Sequence, residues 1–292
     1  MVSKRHEIGS AGWARSAFTA FISAAYFFPV LWIIVTAFKG PSDTLAFTLR
    51  FTPTLDNFAA IFSRAFYRGG EVLDTGFGLF FMNSVIIAAT SVCLALILGT
   101  AAAYAFSRWP IKGNDTFMLL ILTARMLPPI VYIIPIFMLF RMTNLSGGYL
   151  GIILLYTAFN LPFTIWIMKS FFDDLPRDLE DAARIDGSSE WRIFFLVSLP
   201  QVKAGIAATG TLGLILTWNE FLMALLLTGA ETRTIPVAIG ANVGGGFSVP
   251  WGLLAAIETL YLLPVLIVTF LLQNQLLQGV TFGTIRNHPR AA

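Results

Sequence analysis

Between two long apolar runs lies Leu179–Pro200, LEDAARIDGSSEWRIFFLVSLP, charged at its start, aromatic in its second half and closed by a Leu-Pro pair. Just upstream, Asp173, Asp174 and Leu175-Pro176 end the preceding apolar run, because proline has no N–H to continue a helix and drives the residue before it toward extended backbone. The spacing then predicts a short helix that starts after Asp178 and ends near Gly187, where a left-handed C-cap costs glycine little. Ala182 and Ala183 give that helix a flat face on which another protein can pack, while Glu180, Asp181, Arg184 and Asp186 keep it in water. A second helix is expected from Ser188, with Ile193, Phe194 and Val197 at helical spacing, broken by Leu199-Pro200. Taken alone, the segment also suits a plain helix-turn-helix connecting two membrane spans.

Working outward, the chain is 57% hydrophobic and 12% charged over 292 residues, with a mean hydropathy of +0.76. Such a composition excludes a soluble domain and defines a polytopic membrane protein. Crossing a hydrocarbon core takes about 20 helical residues. Runs of that length occupy Ser16–Phe38, Leu79–Phe106, Thr116–Phe140, Tyr149–Met168, Ala204–Leu227 and Trp251–Leu272. They are continuous rather than alternating, which excludes a closed β-barrel and predicts an all-α protein with six transmembrane helices. The expected organisation is a tail over 1–15, a six-helix domain over 16–272 carrying a loop at 173–203, and a tail over 273–292.

Basic residues orient the bundle. With the N-terminus inside, Lys4, Arg5, Arg15, Arg108, Lys112, Lys169, Arg177, Arg184, Arg192, Lys203, Arg286 and Arg290 are cytoplasmic. Lys39, Arg50, Arg64, Arg68, Arg141 and Arg233 fall outside, and Arg125 lies within a span. This bias puts both termini and the Leu179–Pro200 loop in the cytoplasm, and explains a pI near 9.1 without nucleic acid. The first apolar run is too long for a signal-peptide core and lacks a small-residue cleavage site, so it is expected to stay as an anchor. Cys93, the single cysteine, rules out a disulfide framework and is expected to pack as a small apolar residue in the second span.

Catalysis finds little support. The chain has no G-x-x-x-x-G-K-[ST] phosphate loop and no Gly-x-Ser-x-Gly elbow, and its histidines, His6 and His288, lie in the tails. Any ATP hydrolysis therefore belongs to another polypeptide, and no cofactor or metal is expected in this one.

The positions Asp181, Ala182, Ala183, Gly187, Val197, Leu199 and Pro200 resemble, in type and spacing, the cytoplasmic loop signature of permease subunits of ATP-binding-cassette importers. That family usually has Glu where Asp181 stands and Ile where Val197 stands. From about Leu79 onward, further runs are similar to the smaller permease subunit of the maltose, glycerol-phosphate and polyol importers. They are Asn83-Ser84-Val85-Ile86-Ile87, Ala103-Tyr104-Ala105-Phe106-Ser107-Arg108, Asn160-Leu161-Pro162-Phe163, Trp218-Asn219-Glu220-Phe221 and Gln278-Gly279-Val280-Thr281-Phe282-Gly283. The resemblance implies a bacterial inner-membrane subunit, surrounded by lipid, that forms a pathway with a second permease for a sugar, polyol or glycoside. It implies two ATPase subunits that bind ATP and Mg, and an extracytoplasmic solute-binding protein. The coupling-helix residues docking on the ATPase would be Glu180, Asp181, Ala182, Ala183, Asp186, Gly187, Leu199 and Pro200. The external loop Gly229–Pro250, with Gly244, Gly245, Gly246 and Phe247, would approach the binding protein, and the tail bearing Arg286 and Arg290 would reach the ATPase. Two other readings stand beside it. One is an importer permease for a non-carbohydrate solute. The other is a secondary transporter, which would have inverted repeats not seen here and no use for a docking helix.

Charge at membrane depth is expensive and needs a partner or a wet cavity. Arg125, Glu220 and Glu258 lie inside spans, and counting about 1.5 Å per helical residue brings Arg125 and Glu258 to similar depth. An Arg125–Glu258 ion pair is expected, with Glu220 as the competing partner, either bracing the bundle or lining the pathway. Tyr132, Asn160, Trp218 and Asn219 join these three as pathway candidates, since a sugar needs hydrogen-bonding groups and flat aromatic faces; Tyr156 and Trp166 offer similar chemistry. Pro128, Pro129, Pro135 and Pro162 should kink the third and fourth spans, and the polar segment Lys39–Gly78 should form a small external cap.

Overall fold

The structure is a computed structural model that describes residues 10–62, 66–68, 71–73, 75–244 and 249–282. In chain order its elements are α1 (Ser10–Ala37), α2 (Asp56–Phe62), β1 (Phe66–Arg68), β2 (Glu71–Leu73), α3 (Phe77–Arg108), α4 (Asn114–Met126), α5 (Pro129–Met142), α6 (Tyr149–Asp173), α7 (Asp178–Ile185), α8 (Glu190–Ile193), α9 (Leu199–Gln201), α10 (Lys203–Trp218), α11 (Leu222–Leu227), α12 (Ile235–Gly244) and α13 (Trp251–Phe282). A π-helical turn, Phe194–Ser198, joins α8 to α9. Four helices are long and apolar enough to cross a membrane, and two bent pairs bring the number to six if each pair counts as one span. The chain is thus an all-α, multi-pass membrane protein; among the described residues its only strands are the antiparallel hairpin β1–β2.

The chain divides into two units, Met1–Phe77 with Gly245–Leu262 and Gly78–Gly244 with Leu263–Ala292. In the first, α1 is apolar all round and none of its spanning window is buried within the protein, so Phe18, Phe21, Tyr26 and Phe27 face lipid or a partner. The segment after it is a built cap. Lys39 is fully buried, its Nζ 2.8 Å from the Ala46 carbonyl and 4.3 Å from the centre of the Trp32 ring, which stacks on Phe47. Cation–π contact and the carbonyl replace water around the ammonium. Asn57 on α2 donates to the carbonyls of Ala37 and Lys39, closing the cap over the end of α1.

In the second unit, α6 is the central element. Ile152, Leu155 and Tyr156 on it pack with Ile87, Ile133, Met223 and Leu227. Small residues let neighbours approach: a Cβ on Gly205 of α10 would lie 2.6 Å from the Phe171 ring, and one on Gly99 of α3 2.6 Å from Thr164.

Several expectations are corrected. The third apolar run bends at the expected Pro128-Pro129 site, but as two helices: α4 and α5 meet at 89°. Leu127 and Pro128 are both extended (ψ 128° and 130°), as the residue before a proline tends to be, and two successive residues lack N–H donors. Pro135 and Pro162 lie within α5 and α6. The fifth run is interrupted at Asn219–Phe221 between α10 and α11. Leu199-Pro200 does not break its helix. The wide π turn precedes Pro200, which sits in the first turn of α9 where its missing N–H does no harm, and the bend of 74° comes at Val202. Cys93 is exposed on α3 rather than packed inside. Part of the glycine-rich external loop is the helix α12.

The start of α12 is held by α3. Buried Asn83 donates to the carbonyls of Glu231 (2.9 Å) and Arg233 (2.8 Å) and accepts from the Tyr149 hydroxyl, while Ser84 Oγ accepts from Ile235 N–H at 3.0 Å. Asn83→Ala should therefore cost about 1–3 kcal/mol by stranding buried acceptors. Thermal unfolding in detergent would show it as a lowered Tm, and an unchanged Tm would rule the clamp out.

Candidate functional site

The loop helix α7 has eight residues, with Asp178, Glu180 and Asp181 in its first turn, where the helix dipole favours negative charge. It ends as the glycine predicts. Gly187 has φ +82°, Gly187 N–H donates to Arg184 O at 3.0 Å and Ser188 N–H to Ala183 O at 3.0 Å, the paired bonds of a Schellman cap. A Cβ there would meet no atom within 4 Å, so the need for glycine is one of backbone conformation and not of space.

Glu180 overturns an expectation. Instead of keeping the helix in water with Asp181 and Asp186, it is fully buried and points at the end of α3. Arg108 Nε donates to both its carboxylate oxygens, at 3.0 and 2.8 Å, and Ser198 Oγ on the π turn donates to Oε1 at 2.7 Å. The ion pair is sealed, with side chains 4% and 1% exposed. Arg108 also donates to Ser107 Oγ and to the Leu175 carbonyl. Ser107 Oγ in turn donates to Asp173 on α6, which is paired with Lys169, and Arg177 donates to Ser107 O. An aromatic cluster of Tyr104, Phe172 and Phe194, with Met168 and Val202, lies alongside.

Of the other loop candidates, Asp181, Ala182, Asp186, Gly187 and Pro200 are exposed, whereas Ala183 and Leu199 are half-buried. Ile185, which sequence reading passed over, is 88% exposed, an apolar side chain in the middle of a charged surface. Arg184 lies between Asp181 (2.7 Å) and Glu190 (2.8 Å) and ties α7 to α8. Ser107 and Arg108 stood in a run noted for resemblance, and a basic residue ending a span opposite an acid-rich loop was the signal for the pair.

The intramembrane candidates separate into different places. Arg125, at the end of α4, donates to Phe159 O at 3.0 Å and lies 3.5 Å over the Phe159 ring. Glu220 does not compete for it. Its carboxylate accepts from the Tyr156 hydroxyl at 2.6 Å and from the N–H groups of Met223 and Ala224, capping α11 at the break in the span. Glu258 is half-buried and belongs to the other unit from Arg125. Asn160 is buried and donates to Tyr156 O and Thr217 Oγ1, and its Oδ1 has no hydrogen-bond partner. Trp218 is buried edge-on against Phe81, Asn219 is exposed with its amide on Ile215 O, Tyr132 is half-buried, and Trp166 is exposed. Gly244 ends α12, while Gly245, Gly246, Phe247, Arg286 and Arg290 lie outside the described residues. Among the described residues, no group of His, Cys, Asp and Glu could hold a metal ion.

Apolar spans with a charged helix fastened to them by a buried ion pair define a multi-pass membrane protein with an ordered polar loop. Residues 91–282 match the family described as binding-protein-dependent transport system inner membrane component, and the chain belongs to that family. It is 31% identical to a sulfoquinovosyl glycerol transport system permease of Agrobacterium fabrum, covering 89% of this chain and 88% of that one. It is 32% identical to a trehalose transport system permease of Mycobacterium tuberculosis, covering 88% and 92%. A chain of a bacterial ABC transporter involved in import of the acidic polysaccharide alginate has the same fold, with TM-score 0.75 and 20% identity over 94% of this chain and 99% of that one. The family performs transport rather than catalysis, and the family context implies a second permease, ATPase subunits and a solute-binding protein.

Outside the spans, the hydrogen bond from Arg184, opposed by slight burial, holds the Glu190 carboxyl below its ordinary range. A lowered folded-state pKa means the α7–α8 tie is fully present above the ordinary carboxylate range and is lost as pH falls through the lowered value. Carboxyl carbon NMR in nanodiscs should show Glu190 titrating below the ordinary range, and returning to it in Arg184→Gln. Equal titration in both proteins would discard the tie.

Proposed function

We propose that this chain is the permease subunit of an ATP-driven importer for a carbohydrate or related polyhydroxyl solute. It pairs with a second permease, rests on two ATPase subunits that bind ATP and Mg, and receives solute from an extracytoplasmic binding protein. The observation that carries this reading is α7 itself: a short, acid-fronted helix outside the spans, presenting Asp181, Ala182, Ile185 and Asp186 while a buried ion pair fixes it from behind. The exposed set suits a groove with an apolar floor and a basic rim. Both termini and α7 are cytoplasmic on the distribution of Lys and Arg. The carbohydrate class rests on the runs around Trp218 and Gln278 and on relatives named for sulfoquinovosyl glycerol and trehalose. Arg125, Tyr132, Asn160, Trp218, Asn219, Glu220 and Glu258 supply or support the pathway, and the segment from Gly244 to Phe247 approaches the binding protein.

ATP-driven closure of the ATPase pair moves the docked helices and tips the spans between inward-open and outward-open states. Purification of the tagged chain in mild detergent, with mass-spectrometric identification of its companions, tests the assembly. A second permease and an ATPase are expected; isolation alone, even after crosslinking with nucleotide trapped, would move the reading to a self-sufficient secondary transporter.

The Gly187 turn gives a sharper test. A β-branched residue at φ +82° strains the cap by about 1–2 kcal/mol. Gly187→Val is expected to keep ATP hydrolysis in the assembled complex while solute uptake falls at least tenfold; uptake at the wild-type rate would refute the docking role.

A further inference from the structure

Glu180, rather than the exposed acids, is the side chain through which α7 grips the rest of the protein. Beyond Arg184 on α7 itself, 4.0 Å away, its partners come from two directions. Arg108 is the last residue of α3, and Ser198 is the last residue of the π turn that leads through α9 to α10. Through Ser107 the same knot reaches Asp173 at the end of α6. One carboxylate therefore stands where the ends of α3 and α6 and the lead-in to α10 converge.

A buried ion pair is a poor device for stability, since well-packed apolar residues often do as well in its place. What it does supply is direction. Arg108 Nε reaches both oxygens of Glu180 while Ser198 fixes one of them from the other side, so the carboxylate can neither slide nor rotate without losing charge-assisted bonds. The outward face of α7, by contrast, has no such internal hold: Leu179 and Ile185 are exposed, and the Arg184 ion pairs with Asp181 and Glu190 lie in water. A π turn at the Ser198 side is a common mark of a functional site.

We propose that Glu180, Arg108 and Ser198 form the transmission joint of the importer, making α7 and the adjoining end of α3 one rigid body so that displacement of the docked helix moves the span. The three are positioning residues. The proposal rests on the importer reading above and adds to it the route by which motion enters the bundle.

The test places spin labels on Cys93 of α3 and on Asp178→Cys at the exposed start of α7, in the complex assembled with cysteine-free ATPase subunits in nanodiscs. Electron–electron resonance is read without nucleotide and with Mg-ATP plus vanadate. A rigid joint gives one narrow distance, the same in both states. In the doubly substituted Arg108→Met, Glu180→Met protein, the distribution should broaden at least twofold and shift with nucleotide. A narrow, nucleotide-independent distance in the double variant would overturn the joint, as would a wild-type distance that changes with nucleotide. Should the double variant not assemble, Ser198→Ala decides by the same two outcomes. Failure of any ATPase to join the wild-type chain would instead overturn the importer reading, and the transmission role with it.

Discussion

Every backbone N–H and C=O inside a hydrocarbon layer must find a partner within the protein. Unbroken helices meet this demand by themselves; the interruptions at Leu127–Pro128 and at Asn219–Phe221 do not. At Leu127–Pro128 the demand is reduced at source, because two prolines in succession bring two fewer donors. Arg125, a cation at the C-terminal end of α4 where the helix dipole favours it, donates instead to the Phe159 carbonyl of α6 and so links the break to its neighbour. At Asn219–Phe221 the freed donors of α11 are met by the Glu220 carboxylate, held in turn by Tyr156 from α6. The Glu220 charge, which looks unaccountable at membrane depth, thus makes a broken span tolerable.

The other end of the unit solves a different problem. Here α7 must stay outside the spans and yet be fastened to them. Apolar packing alone would draw a short helix in, and exposed ion pairs would hold it weakly, since such pairs contribute little. The solution separates the two jobs by face: charge against charge where Glu180 turns inward, solvated acids and Ile185 where the helix turns out. Tyr104, Phe172 and Phe194 pack in a cluster on Met168 and Val202 beside the knot.

How much of this could be read from the residues follows from what is one-dimensional. Span number is legible because length and hydropathy along the chain decide it, and the limits of α7 are legible because Pro176 and Gly187 act on their own backbone. Which way Glu180 points is not. An eight-residue helix with acids at three of its first four positions carries no periodic signal to separate a buried carboxylate from a solvated one. The 89° bend was legible in place but not in size, since a proline pair forbids a straight helix without saying where the chain goes next. The helix α12 was hidden by glycine-rich surroundings, and its start depends on Asn83 and Ser84, far away in sequence. Cys93 was assigned to the interior on the habits of its residue type, whereas a lipid-facing position costs a thiol as little as a buried one.

These assignments bear on what the pathway can recognise. Free charge along it would favour an anionic or cationic solute. Within the second unit, however, Arg125 is engaged by a carbonyl and a ring, and Glu220 by a hydroxyl and two backbone donors, so neither is idle. Uncharged candidates stand beside them: the exposed amide of Asn219, the half-buried hydroxyl of Tyr132 and the indole of Trp166. Amides, hydroxyls and flat aromatic faces match the edges and faces of sugar rings better than they match phosphates or amino acids. These uncharged candidates agree in chemistry with the carbohydrate class of the family's relatives.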